Sequence, residues 1–316
     1  MRLILHGLQQ LRQTKQMLIA IKVFIYFLVC ITIAAYTSLL ERKLIARIQL
    51  RRGPDNCGFL GIFQPIADAL KLLLKRVQLR QYTKISIFAV ILLFSTSLVQ
   101  LILIPFSNDI FIFRYGLLFI LLCHALIVFS EILLGISQKS KYGIIGANRA
   151  YLQIIGAHIP FMLSIVSIML IFDTLSLNGI VNNSKINFII LIPLLFSFLI
   201  ILLISENRTP FDFVEAESEI ISGAYVEYGG ILFAIIYLSD YLNLLFISAL
   251  VSTIFFNGYV SEFLPASVAI LLKTLIIASI IILIRAILPR YRQDQMIKIS
   301  WMILTPIILI YIFSFI

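Results

Sequence analysis

Eight apolar runs, near residues 17–40, 85–105, 113–136, 150–172, 186–204, 223–256, 264–288 and 299–316, follow one another along the chain. A helix needs about 20 residues to cross a hydrocarbon core of about 30 Å, whereas a barrel strand needs about 9–11. Backbone groups in lipid must be satisfied within the protein, so runs of this length are read as membrane-spanning helices. The prediction is an all-α polytopic membrane protein with eight transmembrane helices, forming one integral domain over residues 1–316. With 61% hydrophobic residues, 13% charged and a mean hydropathy of +1.07, the chain is too apolar for a soluble domain of this length. The sixth run exceeds one perpendicular crossing and contains Gly229 and Gly230, which predicts a tilt, a bend, or an in-plane stretch ahead of the helix.

Basic residues set the orientation. The connections after runs one, three, five and seven, counted with Arg285 at the end of the seventh run, carry 18 of the 25 Lys and Arg, and Lys273 lies inside the seventh run. That bias places the large first connection on the matrix or cytoplasmic side and both termini opposite. The stretch from Met17 to Leu40 is longer than the apolar core of a signal peptide and reads as a retained first span.

The first connection, Glu41 to Lys84, is the longest polar one. Gly53-Pro54-Asp55-Asn56 signals a turn, and Phe59 to Arg76 reads as an amphipathic surface helix. Ile62, Phe63, Ile66, Ala69, Leu70, Leu73 and Leu74 recur there at helical spacing, with Gln64, Asp68, Lys71 and Lys75 on another face. Arg42, Lys43, Arg47, Arg51 and Arg52 suit headgroup anchoring. Anchoring needs no carboxylates, so Glu41 and Asp68 point to ion pairs that line a polar cavity.

Ser205 to Tyr228 packs Glu206, Asp212, Glu215, Glu217, Glu219 and Glu227 between two apolar runs, and Asp240 lies further along. Arg208 is the sole base between Lys185 and Lys273, so these acids lack local counter-charges. Closely spaced carboxylates raise one another's pKa, which suits proton exchange near neutral pH. The plainer reading is a solvated loop held by ion pairs. Glu131 and His158 fall in adjacent spans and together suggest a buried acid–base pair, where a lone His would be read as a packing residue. Arg285, Arg290, Arg292 and Asp294 end the seventh run, where a basic cluster ordinarily fixes topology.

Several function classes are excluded. The net charge of +10 comes without a basic helix or aromatic platform for nucleic acid. Cys30, Cys57 and Cys123 are too few and too scattered for a disulfide framework or an iron–sulfur set, and no dinucleotide turn, P-loop or HExxH motif appears. A secondary transporter would account for buried charge but predicts paired interrupted spans in the two halves. A plain anchor leaves Glu131, His158, Glu227 and Asp240 unexplained.

Taken in order, ERK, RRGPDN, QPIAD, ENRTPFDFVEAESE, SGAYVEY and IRAILPRYRQDQ resemble the membrane subunit of respiratory complex I at the quinone site, NADH:ubiquinone oxidoreductase chain 1, known in bacteria as the H subunit. The resemblance runs from about Lys15 to the C-terminus. It implies eight helices, a quinone channel walled largely by this subunit, and a role in coupling quinone reduction to proton translocation. Arg42, Asp68, Tyr241 and Arg285 match channel positions. Arg51 and Arg208 match basic positions near the acidic loop. Asp212, Glu215, Glu217, Glu219 and Glu227 match carboxylates assigned to coupling. It further implies that this chain binds no cofactor, that ubiquinone is the substrate, and that FMN, NADH and the iron–sulfur clusters belong to partner subunits. The other complex I subunits and membrane lipids, cardiolipin among the candidates, are the implied partners, with no nucleic acid. The mitochondrial inner membrane is the expected location, with both termini on the intermembrane-space side; a bacterial plasma membrane is the alternative. A membrane-bound hydrogenase relative is a further possibility within the resembling family.

Three positions depart from the family pattern. His158 stands where the family has Glu, Glu206 is displaced by one residue from the usual Glu, and Asp240-Tyr241 replaces Glu-Tyr. The expectation is that Glu131 supplies the carboxylate missing at 158, and that Glu206 does the work of the displaced Glu through rewinding of the helix end.

Overall fold

The computed structural model describes residues 2–75, 82–106, 113–183, 188–214, 217–261 and 264–315. Among them there are helices and turns but no strand. In chain order they are α1 (Arg2–Ile48), α2 (Gln64–Leu74), α3 (Lys84–Ile102), α4 (Gly116–Ser137), α5 (Lys141–Phe172), α6 (Leu177–Asn182), α7 (Phe188–Ser205), α8 (Glu217–Ile220), α9 (Gly230–Phe255), α10 (Ala266–Ile287), α11 (Gln293–Lys298) and α12 (Thr305–Phe315). A π-helical segment, Ile299–Leu304, joins α11 to α12. Among the described residues, seven helical stretches are long and apolar enough to cross a membrane, and a shorter apolar helix, Ile190–Ser205, lies where the fifth apolar run was expected.

Thr83, Ser140 and Ser176 start α3, α5 and α6 by accepting from the backbone N–H three residues on. Within the bundle, the buried hydroxyls of Ser164, Ser197, Ser239, Ser248, Ser252 and Thr253 donate back to carbonyls of their own helices. Polar groups can therefore sit in lipid without a partner on a second helix.

Two expectations are corrected. The first connection does not begin at Glu41: α1 runs on to Ile48, because hydropathy falls where charges begin while the first strong helix breakers are Gly53 and Pro54. Glu41 and Arg42 are helical residues. The sixth span starts at Gly230, so Glu227 lies before it, exposed, in the stretch after a 3₁₀ turn at Gly223–Tyr225.

The amphipathic segment forms α2, with Pro65 in its first turn. Its polar edge faces the bundle, while Ile66, Leu70, Leu73 and Leu74 stay exposed. The helix is held down by Arg42, whose Nη1 meets Asp68 Oδ2 at 2.7 Å, and Gln64 Nε2 donates to Asp68 Oδ1 at 2.9 Å.

The turn at Gly223–Tyr225 is clamped from several sides. Gln138 Nε2 donates to the Ala224 carbonyl. The Tyr82 hydroxyl donates to Glu227 O and accepts from Gly229 N, both at 2.9 Å. On α5, a Cβ at Gly146 would come within 2.6 Å of Ala224 N, so only glycine lets helix and turn approach so closely.

Candidate functional site

A buried charge cluster forms where α1, the end of α7 and the end of α10 meet. The side chain of Glu41 is 4% exposed. Its Oε2 accepts from Arg208 Nη1 at 3.0 Å, and its Oε1 accepts from Arg285 Nη1. One carboxylate thus holds two guanidinium groups from distant parts of the chain. Arg208 Nε also lies 3.7 Å from Glu206 Oε2, and its guanidinium stands 4.9 Å from the Tyr241 ring centroid, a cation–π contact.

The local sequence explains the convergence. α7 ends at Ser205, the Glu206 N–H still bonds Leu202 O, and Asn207 then adopts φ 53°. Asn tolerates this left-handed geometry better than most side chains. The reversal sends Arg208 back into the bundle, and the Phe211 N–H closes the turn onto Arg208 O at 2.8 Å.

Burial pushes the Glu206 carboxyl up to about 8; Arg208 opposes this, and the charges of Glu131 and Glu41 add to it. Its Oε1 is buried without a hydrogen-bond partner, a further disadvantage for the anion. Burial works against the charge on Arg208, but Glu41 and Glu206 outweigh it and raise its pKa.

Beside the cluster lies a cavity of about 1060 Å³, large for a small-molecule site. Arg42, Asp68, Tyr241 and Arg285, the four channel positions implied by the family resemblance, all line it, as does Asp212. The α1 wall is made of small side chains, Ala34, Ala35 and Ser38, which leave the space open. The facing α9 wall carries Phe233 and Tyr237 as well as Tyr241, spaced so that they share one helix face. Their rings follow one another at 5.5 Å between centroids. Such a wall takes a flat ring between aromatic faces, while the Arg and Asp groups at the rim bind polar oxygens.

A second, smaller cavity of about 40 Å³ adjoins it, sharing Asp212, Tyr225, Tyr237, Tyr241 and Arg285. Glu206, Asn207, Arg208 and Asp240 complete its lining. Three carboxylates, Glu206, Asp212 and Asp240, therefore face a polar space behind the large cavity.

A third cavity, of about 10 Å³, opens between α4 and α5 and is lined by Glu131, His124, His158, Gln153 and Asn207. Glu131 and His158 line the same cavity, and Asn207 Nδ2 donates to Glu131 Oε2 at 2.8 Å. His158 stacks on His124 at 5.6 Å between centroids.

The acidic segment departs from the sequence expectation. Bases scarce in the local sequence arrive from afar: Glu219 accepts from Arg149 of α5, and Arg290 Nη1 lies 3.6 Å away. The hydrogen bond from Arg149 holds the Glu219 carboxyl below its ordinary range, which is the reverse of mutual elevation among crowded acids. Glu227 is exposed rather than gathered into the cluster. Arg51 is exposed just past the end of α1 and forms no ion pair with a described carboxylate. Glu215 lies outside the described residues, and of Glu217 only the backbone is described, at the start of α8.

Sequence reasoning singled out Glu41 for pairing but not its two partners. It also passed over Phe233, Tyr225, Tyr237, Asn207 and Gln153, and took Arg290 only as part of a basic cluster that fixes topology. The aromatic spacing on α9 was a usable signal. The others depend on contacts between distant segments.

A family model described as NADH dehydrogenase matches residues 21–316. The H subunit of the NADH-quinone oxidoreductase of Ruthia magnifica subsp. Calyptogena magnifica is 34% identical over 318 residues, covering 94% of this chain and 89% of the relative. Its counterpart from Rickettsia typhi (strain ATCC VR-144 / Wilmington), of the same name, is 36% identical over 307 residues, with 92% and 90% covered. NADH-ubiquinone oxidoreductase chain 1 of Cyanidium caldarium is 38% identical over 304 residues, with 92% and 88% covered.

Proposed function

This chain belongs to the NADH dehydrogenase family as a membrane subunit of an NADH:quinone oxidoreductase, and from that premise we propose that it forms the membrane side of the quinone channel and couples quinone reduction to proton movement. The observation that carries the reading is the large cavity, in which Arg42, Asp68, Tyr241 and Arg285 meet one aromatic wall. The quinone ring would lie against Phe233, Tyr237 and Tyr241, with its carbonyl oxygens towards the polar rim.

Reduction of a quinone to a quinol takes two electrons and two protons. The electrons come from redox centres on partner subunits, and FMN, NADH and iron–sulfur clusters are placed there rather than on this chain. Negative charge develops on the quinone oxygens as electrons arrive. Arg285 sits between that space and Glu41, so a change in its pairing reaches Arg208 and Glu206. Glu206 is poised to exchange a proton near neutral pH, and Asp212 and Asp240 share its cavity. Quinone chemistry in one cavity is in this way read as a change of protonation in the next.

The other subunits of the complex are its partners, with ubiquinone the substrate and membrane lipids around the apolar surface. The exposed apolar side of α2 suits lipid or a neighbouring subunit. We place the chain in the mitochondrial inner membrane with both termini on the intermembrane-space side, a reading supported by the basic first connection and by the likeness to a chain 1 protein.

Narrowing the cavity tests the channel. Ala234 lines it on α9, and Ala234→Trp should raise the KM for quinone by about tenfold, a loss of about 1.4 kcal/mol in binding. Electron delivery from NADH to a water-soluble acceptor upstream of the quinone should stay unchanged. An unaltered KM in an assembled complex would refute the channel reading.

A further inference from the structure

We propose that Glu131 is a proton-carrying residue of this protein, exchanging its proton across the small cavity between α4 and α5 with His158. The proposal deepens, and rests on, the coupling role given above. Glu131 is 5% exposed, in the last two turns of an apolar spanning helix, an expensive place for a carboxyl group with no task. It faces a space of about 10 Å³, about the size that admits one water. His158 lines the same space, and its Nδ1 is buried with no hydrogen-bond partner. An acid and an unfilled imidazole nitrogen thus face one water-sized gap.

The surroundings connect this gap to the site already described. Asn207 donates to Glu131 Oε2 at 2.8 Å and stands between Glu206 and Arg208 in the turn that reverses the chain after α7. The negative charge of Glu131 helps to raise Glu206, so the protonation states of the two carboxyls are linked. Gln153 closes the space from α5 and is pinned by its donation to Phe211 O at 3.1 Å. His124, on the same helix as Glu131, stacks on His158 and packs against Phe161 at 4.4 Å between centroids. His124 is accordingly a positioning residue that fixes the plane of the His158 ring. Among the described residues, the titratable groups that share the cavity with Glu131 are His124 on α4 and His158 on α5, and Glu206 on the turn feels its charge.

The step is a proton transfer. The O–H bond of protonated Glu131 breaks and an N–H bond forms at His158 Nδ1 through one water, leaving a carboxylate that faces an imidazolium across the gap. Return of a proton from the Glu206 side resets Glu131. No redox change is involved.

The test uses the intact complex in native membranes, measuring protons moved per NADH oxidised by quinone, across pH. Glu131→Gln should lower that ratio by about one proton per two electrons and change the shape of its pH profile, as expected for a removed relay. Glu131→Asp should restore both in part. The double variant Glu131→Gln with His158→Glu returns a carboxyl to the opposite wall of the cavity and should recover the ratio. An unchanged ratio and pH profile in Glu131→Gln would overturn the proposal. So would an equal fall in quinone reduction and proton movement that neither Glu131→Asp nor the double variant relieves, since Glu131 would then only hold Asn207 in place. Should Glu131→Gln not assemble, Glu131→Asp alone decides: a shifted pH profile supports the relay and an unshifted one overturns it. Neither failure touches the channel reading, which stands or falls with Ala234→Trp.

Discussion

Glu41→Gln should be the most damaging single substitution that preserves side-chain volume. It removes one negative charge from between Arg208 and Arg285, both bonded to Glu41 where it is buried. Taking one partner from a buried ion pair costs about 3–5 kcal/mol, because the remaining charge is left without compensation. Two guanidinium groups share that loss here. The assembled complex should melt at a lower temperature, and quinone reduction should fall by at least about tenfold with no matching loss of NADH oxidation by an upstream acceptor.

The same variant should alter how stability depends on pH. In the native protein the Glu206 carboxyl is raised from 4.5 to about 8. Between those values the folded chain holds a proton that the unfolded chain has lost, so stability falls as pH climbs through that window. Glu41→Gln removes a repelling charge and leaves Glu206 as the main partner of Arg208, which pulls the Glu206 pKa down. The native protein should therefore lose stability from about pH 4.5 to about pH 8 and level off above, whereas Glu41→Gln should start lower and fall less steeply, because burial, the largest cause of the Glu206 shift, remains. Glu206→Gln, lacking the titrating group, should be level across the window. Melting curves of the three proteins across pH check this. A native slope retained in Glu206→Gln would show that another group sets the pH dependence.

The second large effect falls on the turn that carries Tyr225. Ile221, Ser222 and Gly223 have φ values of 61°, 142° and 49°, a run of left-handed backbone that is costly outside glycine. A Cβ on Gly223 would stand 1.8 Å from the Val214 carbonyl oxygen, a backbone atom that cannot swing aside. Gly223→Ala should cost roughly 2–5 kcal/mol, adding left-handed strain to overpacking. Because Tyr225 lines both the large cavity and the acidic one, displacement of the turn should lower quinone reduction by up to about 10²-fold. Gly229→Ala is the matched control. Its Cβ would meet only the Tyr82 hydroxyl, at 3.8 Å, and both stability and turnover should be nearly unchanged. Equal behaviour of the two variants would refute the argument.

The spans were legible because lipid imposes one rule on every residue of a crossing, and hydropathy reports it directly. The end of α1 was not, since a window of apolar residues closes at the first charges while the helix continues to Ile48. Asp68 and Arg42 could be paired from sequence, being one connection apart. Glu41 could be singled out as an acid needing a base, but Arg208 and Arg285 lie 167 and 244 residues away, and nothing local names them. The acidic segment misled for the same reason: counting nearby bases misses Arg149, brought to Glu219 across 70 residues. Glu131 stood out as an ionisable residue in an apolar run, and the cavity it shares with His158 fits that reading. Its hydrogen bond to Asn207 comes from the left-handed turn after α7, which the sequence does not announce.

The central claim is that quinone enters the cavity between α1, α2 and α9. Its most direct test is photolabelling of native membranes with a quinone analogue, followed by mapping of the labelled peptides. The account predicts label within residues 41–76 and 205–241 of this chain, abolished by excess quinone. Labelling confined to other chains of the same complex, with those two segments clear, would contradict it.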